Sequence, residues 1–466
     1  MAATSYHPPR LRLTSVAAAL LAPSYGALCC VLLWAGINTG PGNIDLDAIR
    51  GSWSGLFNGV RATFPLVVLA MSPIYLLLSR RGTLRRFSLP EGLWIFYGLV
   101  CMVSGIYEDP WFDFAYWGFA WLGAFVAAAI FVQGERNSLQ RAVTLNHLNW
   151  LLCTAVLVTV VWVGRGALLT DTNLGVSGYG VDNRIGTVAG MPMVRATGIA
   201  RLAAIPALLS FVWIWNPGAV TRVLSAAVLA PTLYLVWVMQ SRGATLGFVV
   251  ALVFMLMLMG GWARRFGFLV VAAIGAIYLF DLVPDDTIHH VFVYATRGQQ
   301  GEALLSMSGR TRIFGEVWSA ISQAPFIGYG PQADRWLPFR VPNAQNAFLY
   351  ALLCGGFIGG SAFIAGLVIT WAMLIRTLRQ RRLLDPVERR TLIQSAGILA
   401  FFTIRSYPEN SAALYSVDLL VLLPAIVFIA EADRRLRLMC QVREVHRAAN
   451  RFGRAVTVAA GVSSHY

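Results

Sequence analysis

The chain has 466 residues, 57% hydrophobic and 13% charged, with a mean hydropathy of +0.63. A water-soluble domain carries about a quarter charged residues, so this chain lacks the polar surface to sit in water, and the bilayer must be its main solvent. The net charge of +15 comes from 37 basic residues, all arginine, in short clusters between apolar runs. A nucleic-acid partner needs a contiguous basic face with stacking or base-reading groups, and this pattern excludes one.

From the N-terminus, Arg10 and Arg12 precede an apolar run that continues past Ala27 to Trp34. That run exceeds the short core of a cleavable signal peptide and reads as an uncleaved first span. Apolar stretches of membrane-crossing length then recur to the end of the chain. They predict an all-α polytopic protein forming a single transmembrane domain over residues 1–466, with about twelve spans: 16–36, 63–78, 89–107, 114–132, 148–164, 199–215, 223–239, 244–260, 266–283, 346–375, 392–404 and 412–430. Numbered from a cytoplasmic N-terminus, the inner segments collect Arg80, Arg81, Arg85, Arg86, Arg264, Arg265 and the arginines between Arg376 and Arg390, while the outer segments are close to neutral. The positive-inside rule therefore sets both termini in the cytoplasm of a bacterial inner-membrane protein.

Three outer segments exceed simple turns: residues 38–62, 165–198 and 284–345. The last is the largest, expected to roof an outer cavity. Within it, Ser308 can cap a helix in which Ile313, Phe314, Val317, Trp318 and Ile321 repeat at helical spacing, suited to lying along the outer membrane surface. The sequence Ala324-Pro325-Phe326-Ile327-Gly328-Tyr329-Gly330-Pro331 ends it in a turn. Cys29, Cys30, Cys101, Cys153 and Cys354 fall in apolar runs and Cys440 in the basic tail, so neither a disulfide framework nor a metal-ligand spacing is present.

Most spans have uncharged middles, whereas ion-coupled transporters place ionisable groups near the membrane centre. The polar residues gather instead at the outer boundary: Arg195, Arg201, Arg242, Arg405, Glu409 and Asp418. Outer arginines run against the insertion bias. They either snorkel to headgroups or bind an anion, since guanidinium binds phosphate bidentately and stays charged beside apolar surroundings. Arg242, in the tight turn Gln240-Ser241-Arg242-Gly243, is the best placed for the second role. Asp418 reads as a polar contact between helices, and the glycines Gly355, Gly356, Gly359 and Gly360 as sites of close helix packing.

Arg195-Ala196-Thr197-Gly198 before an apolar span, the Ser241-Arg242-Gly243 turn, Ser308-Gly309-Arg310 leading to Pro325-Phe326-Ile327-Gly328-Tyr329-Gly330, and Gln345-Asn346 followed at fixed spacing by Gly356 and Gly359 stand in order along the chain. Together they resemble the O-antigen ligase and polymerase superfamily of bacterial glycosyltransferases, from about Arg195 to the twelfth span. The resemblance implies an undecaprenyl-diphosphate-linked oligosaccharide donor, a glycan or lipid-linked glycan acceptor, membrane lipids as surroundings, a periplasmic active face, and no cofactor or metal. It implies diphosphate binding by Arg195, Arg242 and Arg310, and catalytic roles for Gln345, Asn346 and Glu409. The family pattern has histidine where this chain has Gln345, and an amide takes up no proton near neutral pH. The base is then another outer group (Glu409, Asp334, His289 or His290), or the reaction relies on stabilising the leaving group while Gln345 and Asn346 position the acceptor, or the chain is an inactive paralogue. The missing histidine favours polymerase over ligase. A lipid-glycan transporter and a non-catalytic component of a polysaccharide assembly system are the alternatives from other classes.

Overall fold

The computed structural model describes residues 13–37, 53–78, 86–106, 111–133, 137–170, 184–185, 194–215, 218–239, 241–261, 266, 269, 310–337 and 344–462. Among these the chain is helical apart from one two-residue ladder. The helices are α1 (Leu13–Ala35), α2 (Trp53–Leu78), α3 (Leu89–Gly105), α4 (Trp111–Phe131), α5 (Ser138–Thr170), α6 (Ala196–Ile214), α7 (Ala219–Val238), α8 (Arg242–Leu258), α9 (Arg310–Gln323), α10 (Ala333–Trp336), α11 (Ala347–Arg379), α12 (Pro386–Arg405) and α13 (Val417–Val462). Strands β1 (Arg184–Ile185) and β2 (Val194–Arg195) pair antiparallel, with Arg184 opposite Arg195.

The protein is polytopic. Among the described residues, six helices are long and apolar enough to cross a bilayer, and three shorter apolar ones accompany them, at Ser24–Ala35, Leu89–Gly105 and Arg242–Leu258. The expected twelve spans are thus not all matched among the described residues. The ninth, 266–283, falls almost wholly outside them, as do most of 284–345 and the histidines His289 and His290. The two last spans differ from expectation for a physical reason. Helix α12 and the first half of α13 are enclosed by other helices, with Gln394, Ser395, Arg405, Asp418, Glu431 and Asp433 buried within them. A helix shielded from lipid by protein can carry polar groups that hydrocarbon would reject. Helix α7 is the opposite case: Val220, Val223, Leu224, Tyr234 and Trp237 are exposed along it, an apolar outer wall.

Contacts between helix ends sort the bundle into two faces. At one, Arg61 of α2 donates to the carbonyls of Ala35 (2.7 Å) and Ile37 (3.1 Å), closing the C-terminus of α1, and Tyr415 donates to the carbonyl of Leu33. At the other, Arg381 donates to the carbonyl of Leu258, and Arg434 and Arg435 reach Ser138 and Glu388. The latter face carries the arginine clusters that the charge pattern assigns to the cytoplasm. Capping boxes start two helices there, Ser88 with Glu91 for α3 and Asp385 with Glu388 for α12, each with proline in the first turn.

Helices α3, α4 and α11 interlock large against small. Trp94 stacks on Phe363 at 4.9 Å and donates to its carbonyl, and Trp121 donates to the carbonyl of Trp94. A Cβ on Gly98 would meet Trp121 at 2.4 Å, and one on Gly366 would meet Trp94 at 2.4 Å. Gly355 and Gly359 lie against Tyr97, Cys101 and Val100. Small residues let membrane helices approach this closely.

Helix α11 is broken at Gly356, whose φ of 59° and ψ of −165° are not helical. The turn after α9 is seated in the break. Tyr329 and Gly330 donate their N–H groups to the carbonyls of Leu353 and Cys354, both at 2.9 Å, while Phe357 and Ile358 donate to the carbonyls of Pro325 and Phe326 at 2.6 and 3.1 Å. Ser104 of α3 donates its hydroxyl to the carbonyl of Ile327. The apolar face of α9, with Ile313, Val317 and Ile321 buried, packs on α11. Protein therefore covers the face that was expected to meet lipid, and Trp318 alone of the five apolar positions is strongly exposed, edge-on to Phe357 at 6.4 Å.

A Cβ at position 356 would lie 2.2 Å from the carbonyl of Phe326, and the left-handed φ adds strain. Gly356→Ala should therefore lower the melting temperature of detergent-solubilised protein by several degrees, an overpacking-plus-strain cost of about 2–4 kcal/mol. Gly260→Ala, in open space, should change it little in the same measurement.

Candidate functional site

The site is built around the turn 406–411, between α12 and α13. Three segments far apart in sequence meet it. The backbone N–H of Asn346 donates to Asn410 Oδ1 at 3.0 Å, and that of Ala347 to the carbonyl of Ser406 at 2.8 Å. A Cβ on Gly243 would touch the Pro408 ring at 3.2 Å, so the Ser241-Arg242-Gly243 turn lies against the same segment. The ring of Phe314, one turn into α9, meets Tyr407 edge-on at 6.1 Å.

Each sequence-predicted residue takes its place accordingly. Arg242 is the first residue of α8, with Ser241 as its N-cap, and is exposed. Glu409 is half-buried in the turn itself, and its charge acts on Arg405. Gln345 is half-buried and has a left-handed backbone, φ 48°. Asn346 is the N-cap of α11, its Oδ1 accepting from the N–H groups of Phe348 (2.9 Å) and Leu349 (3.0 Å). Arg195 ends β2, directly before α6, and Arg310 opens α9; their side chains lie outside the described residues. Arg310 stands four residues before Phe314, and Arg195 six before Arg201, so both helices bring their N-termini to this end of the bundle.

Two networks stiffen the site, and the pairings within them were not apparent from sequence. Asp334, in α10, is buried; its Oδ2 accepts from the N–H of Ala344 and from Asn410 Nδ2, both at 3.1 Å. Asn410 thereby bridges Asp334 and Asn346 and fixes the backbone on either side of Gln345. Burial raises the Asp334 carboxyl above the usual carboxylate range, against the pull of the Ala344 hydrogen bond and the Arg335 charge. The second network lies just beneath. Asp418 is 2% exposed and binds Arg201 Nη1 at 2.8 Å through one oxygen and Arg405 Nη1 at 3.0 Å through the other. Sequence had marked Asp418 as an interhelical contact, and the structure finds it shared between α6 and α12. Asp418 is thus shared by two guanidinium groups, Glu409 adds a second negative charge acting on Arg405, and Nε of both arginines has no hydrogen-bond partner among the described residues.

No group of three or more histidine, cysteine, aspartate or glutamate side chains capable of holding a metal occurs among the described residues. Chemically, the arrangement offers fixed guanidinium charge beside the mouths of two helix N-termini, where anions are stabilised, together with a carboxylate and an amide on an adjoining turn.

Removing one member of a buried ion pair strands the other at a cost of about 3–5 kcal/mol, so Asp418→Ala should markedly lower the yield of folded protein in detergent. Asp334→Asn, which retains an acceptor oxygen for Ala344, should be far milder than Asp334→Ala. Because its folded pKa lies above the unfolded 3.8, Asp334 costs stability as pH rises from that value through the folded pKa. The stability of Asp334→Asn relative to the parent should therefore climb across that window in thermal melts.

Residues 226–364 match the family model described as O-antigen ligase. The match runs from α7 into α11 and takes in Arg242, Arg310, Gln345, Asn346, Gly356 and Gly359, so this stretch, under a third of the chain, is similar to the O-antigen ligase family. No curated protein matches the chain.

Proposed function

We propose, on the premise that the chain carries the O-antigen ligase and polymerase superfamily's segment, that it is a membrane glycosyltransferase moving undecaprenyl-diphosphate-linked glycans on the periplasmic face of a bacterial inner membrane. The observation that carries this reading is the convergence of Arg242, Glu409 and the Gln345-Asn346 pair on one turn. Polymerisation of lipid-linked repeats is preferred to ligation because Gln345 stands where the ligase pattern has histidine.

In this reading the acceptor hydroxyl oxygen attacks the anomeric carbon of the donor sugar. The bond from that carbon to the diphosphate oxygen breaks, and the diphosphate leaves with the electron pair. Arg242, with Arg195 and Arg310, stabilises the charge that builds on the leaving group; fixed cations at a low-dielectric boundary suit that task. Glu409 accepts the hydroxyl proton, and Gln345 positions the acceptor. Asn346 acts through the backbone: its side-chain oxygen is engaged in capping α11, so it holds Gln345 in place. The donor needs no nucleotide or metal in this scheme.

Purified protein reconstituted with a lipid-linked oligosaccharide should lengthen or transfer the glycan. Movement across the vesicle without new glycosidic bonds would replace this reading with a flippase, and neither outcome with an assembly component. Arg242→Ala should lower transfer by at least about a hundredfold, the scale of losing one charge-stabilising group, while membrane insertion is unchanged. Full activity in that variant would remove its role on the diphosphate. Gln345→His should raise the rate if the position is a base that this chain has lost.

A further inference from the structure

Helix α13 is 46 residues long and runs unbroken to Val462. Leu436 is buried against the bundle and Met439 packs on it, but Leu438 and Val442 are 56% and 69% exposed. From Val442 the apolar positions continue as Val445, Ala449, Phe452, Val456 and Ala459, so that the series from Leu438 alternates four and three residues apart over three heptads. That period keeps one seam straight along a supercoiled helix pair. Read as a and d positions, the seam places Arg443, Arg447, Arg451 and Arg454 at b, f, c and f, on the far side. The flanking e and g positions are Met439, Gln441, His446, Ala448, Gly453, Ala455, Ala460 and Val462, with no arginine or carboxylate among them.

We propose that the cytoplasmic extension of α13 is a parallel coiled coil joining two copies of this chain. Two copies inserted in one membrane share an orientation, so their α13 helices emerge parallel, as the heptad register requires. The neutral flanks matter because a basic helix repels its own copy unless its charges lie off the seam, and the register puts every arginine from 443 to 454 at b, c or f. The rival occupant is the membrane surface, which attracts helices with a basic face and an apolar one. Lying flat would require a break where α13 leaves the bundle, and the helix has none: from Leu438 it extends about 37 Å at 1.5 Å per residue, carrying the seam away from the lipid. The seam is light, with two alanines, but confinement to a membrane raises the effective concentration of one copy for another.

Cysteine crosslinking in native membranes tests this in the full-length protein with Cys440, an f position, changed to serine. Phe452→Cys should give a covalent dimer under mild oxidation, and Arg454→Cys should give none. Val445→Asp combined with Phe452→Cys should lose the dimer while the protein remains in the membrane. Equal crosslinking at 452 and 454, no crosslinking at either, or an introduced thiol at position 452 that liposomes shield and a second copy does not would overturn the proposal.

Discussion

Inside a bilayer no water is available to satisfy a main-chain group, so a helix can break there only if protein supplies the missing hydrogen bonds. The interruption of α11 at Gly356 meets that condition through the turn 325–330, which takes up the carbonyls of Leu353 and Cys354 and offers its own to Phe357 and Ile358. The seat requires an absence of side chain on both partners: a Cβ on Gly328 would strike the Leu353 carbonyl at 2.5 Å, and one on Gly356 the Phe326 carbonyl. Everything the outer segment does follows from this docking. It draws α9 onto α11 and Phe314 onto Tyr407, and so fixes one wall of the site against another.

The same logic explains why polar residues concentrate in the innermost helices. Helices α12 and α13 are wrapped by α5, α6, α8 and α11 and can hold Asp418 between two arginines without exposing charge to hydrocarbon. The lipid-facing helices give up that freedom and are apolar outward. Sorting of this kind places the buried polar residues beside a low-dielectric wall yet at the end of the bundle.

Membrane residence and the order of most helices were legible in the sequence, because apolar length is a direct consequence of the bilayer. The motif glycines were legible as packing sites, although nothing in a linear pattern reveals that Gly356 is a break rather than a contact. Helix α9 was legible as amphipathic but not in its partner, since lipid and a neighbouring helix select the same apolar stripe. The bridge from Asp334 through Asn410 to Asn346 joins residues 76 and 64 positions apart and leaves no local trace. For Asn346, sequence suggested chemistry where the structure finds a helix cap, because asparagine suits both.

The cluster of Arg201, Asp418 and Arg405 has a consequence for how this end of the bundle responds to its medium. Mobile ions screen attraction between exposed charges more than a Debye length apart, about 8 Å at physiological strength, and screen buried pairs much less. Arg242 is exposed and its pull on any anion fades as electrolyte is added, whereas the Arg405–Asp418 pair, 4% and 3% exposed, keeps its attraction in salt, and Arg201, at 18%, keeps much of its own. The ionic brace that ties α6, α12 and α13 together therefore persists at ionic strengths that weaken the grip of Arg242.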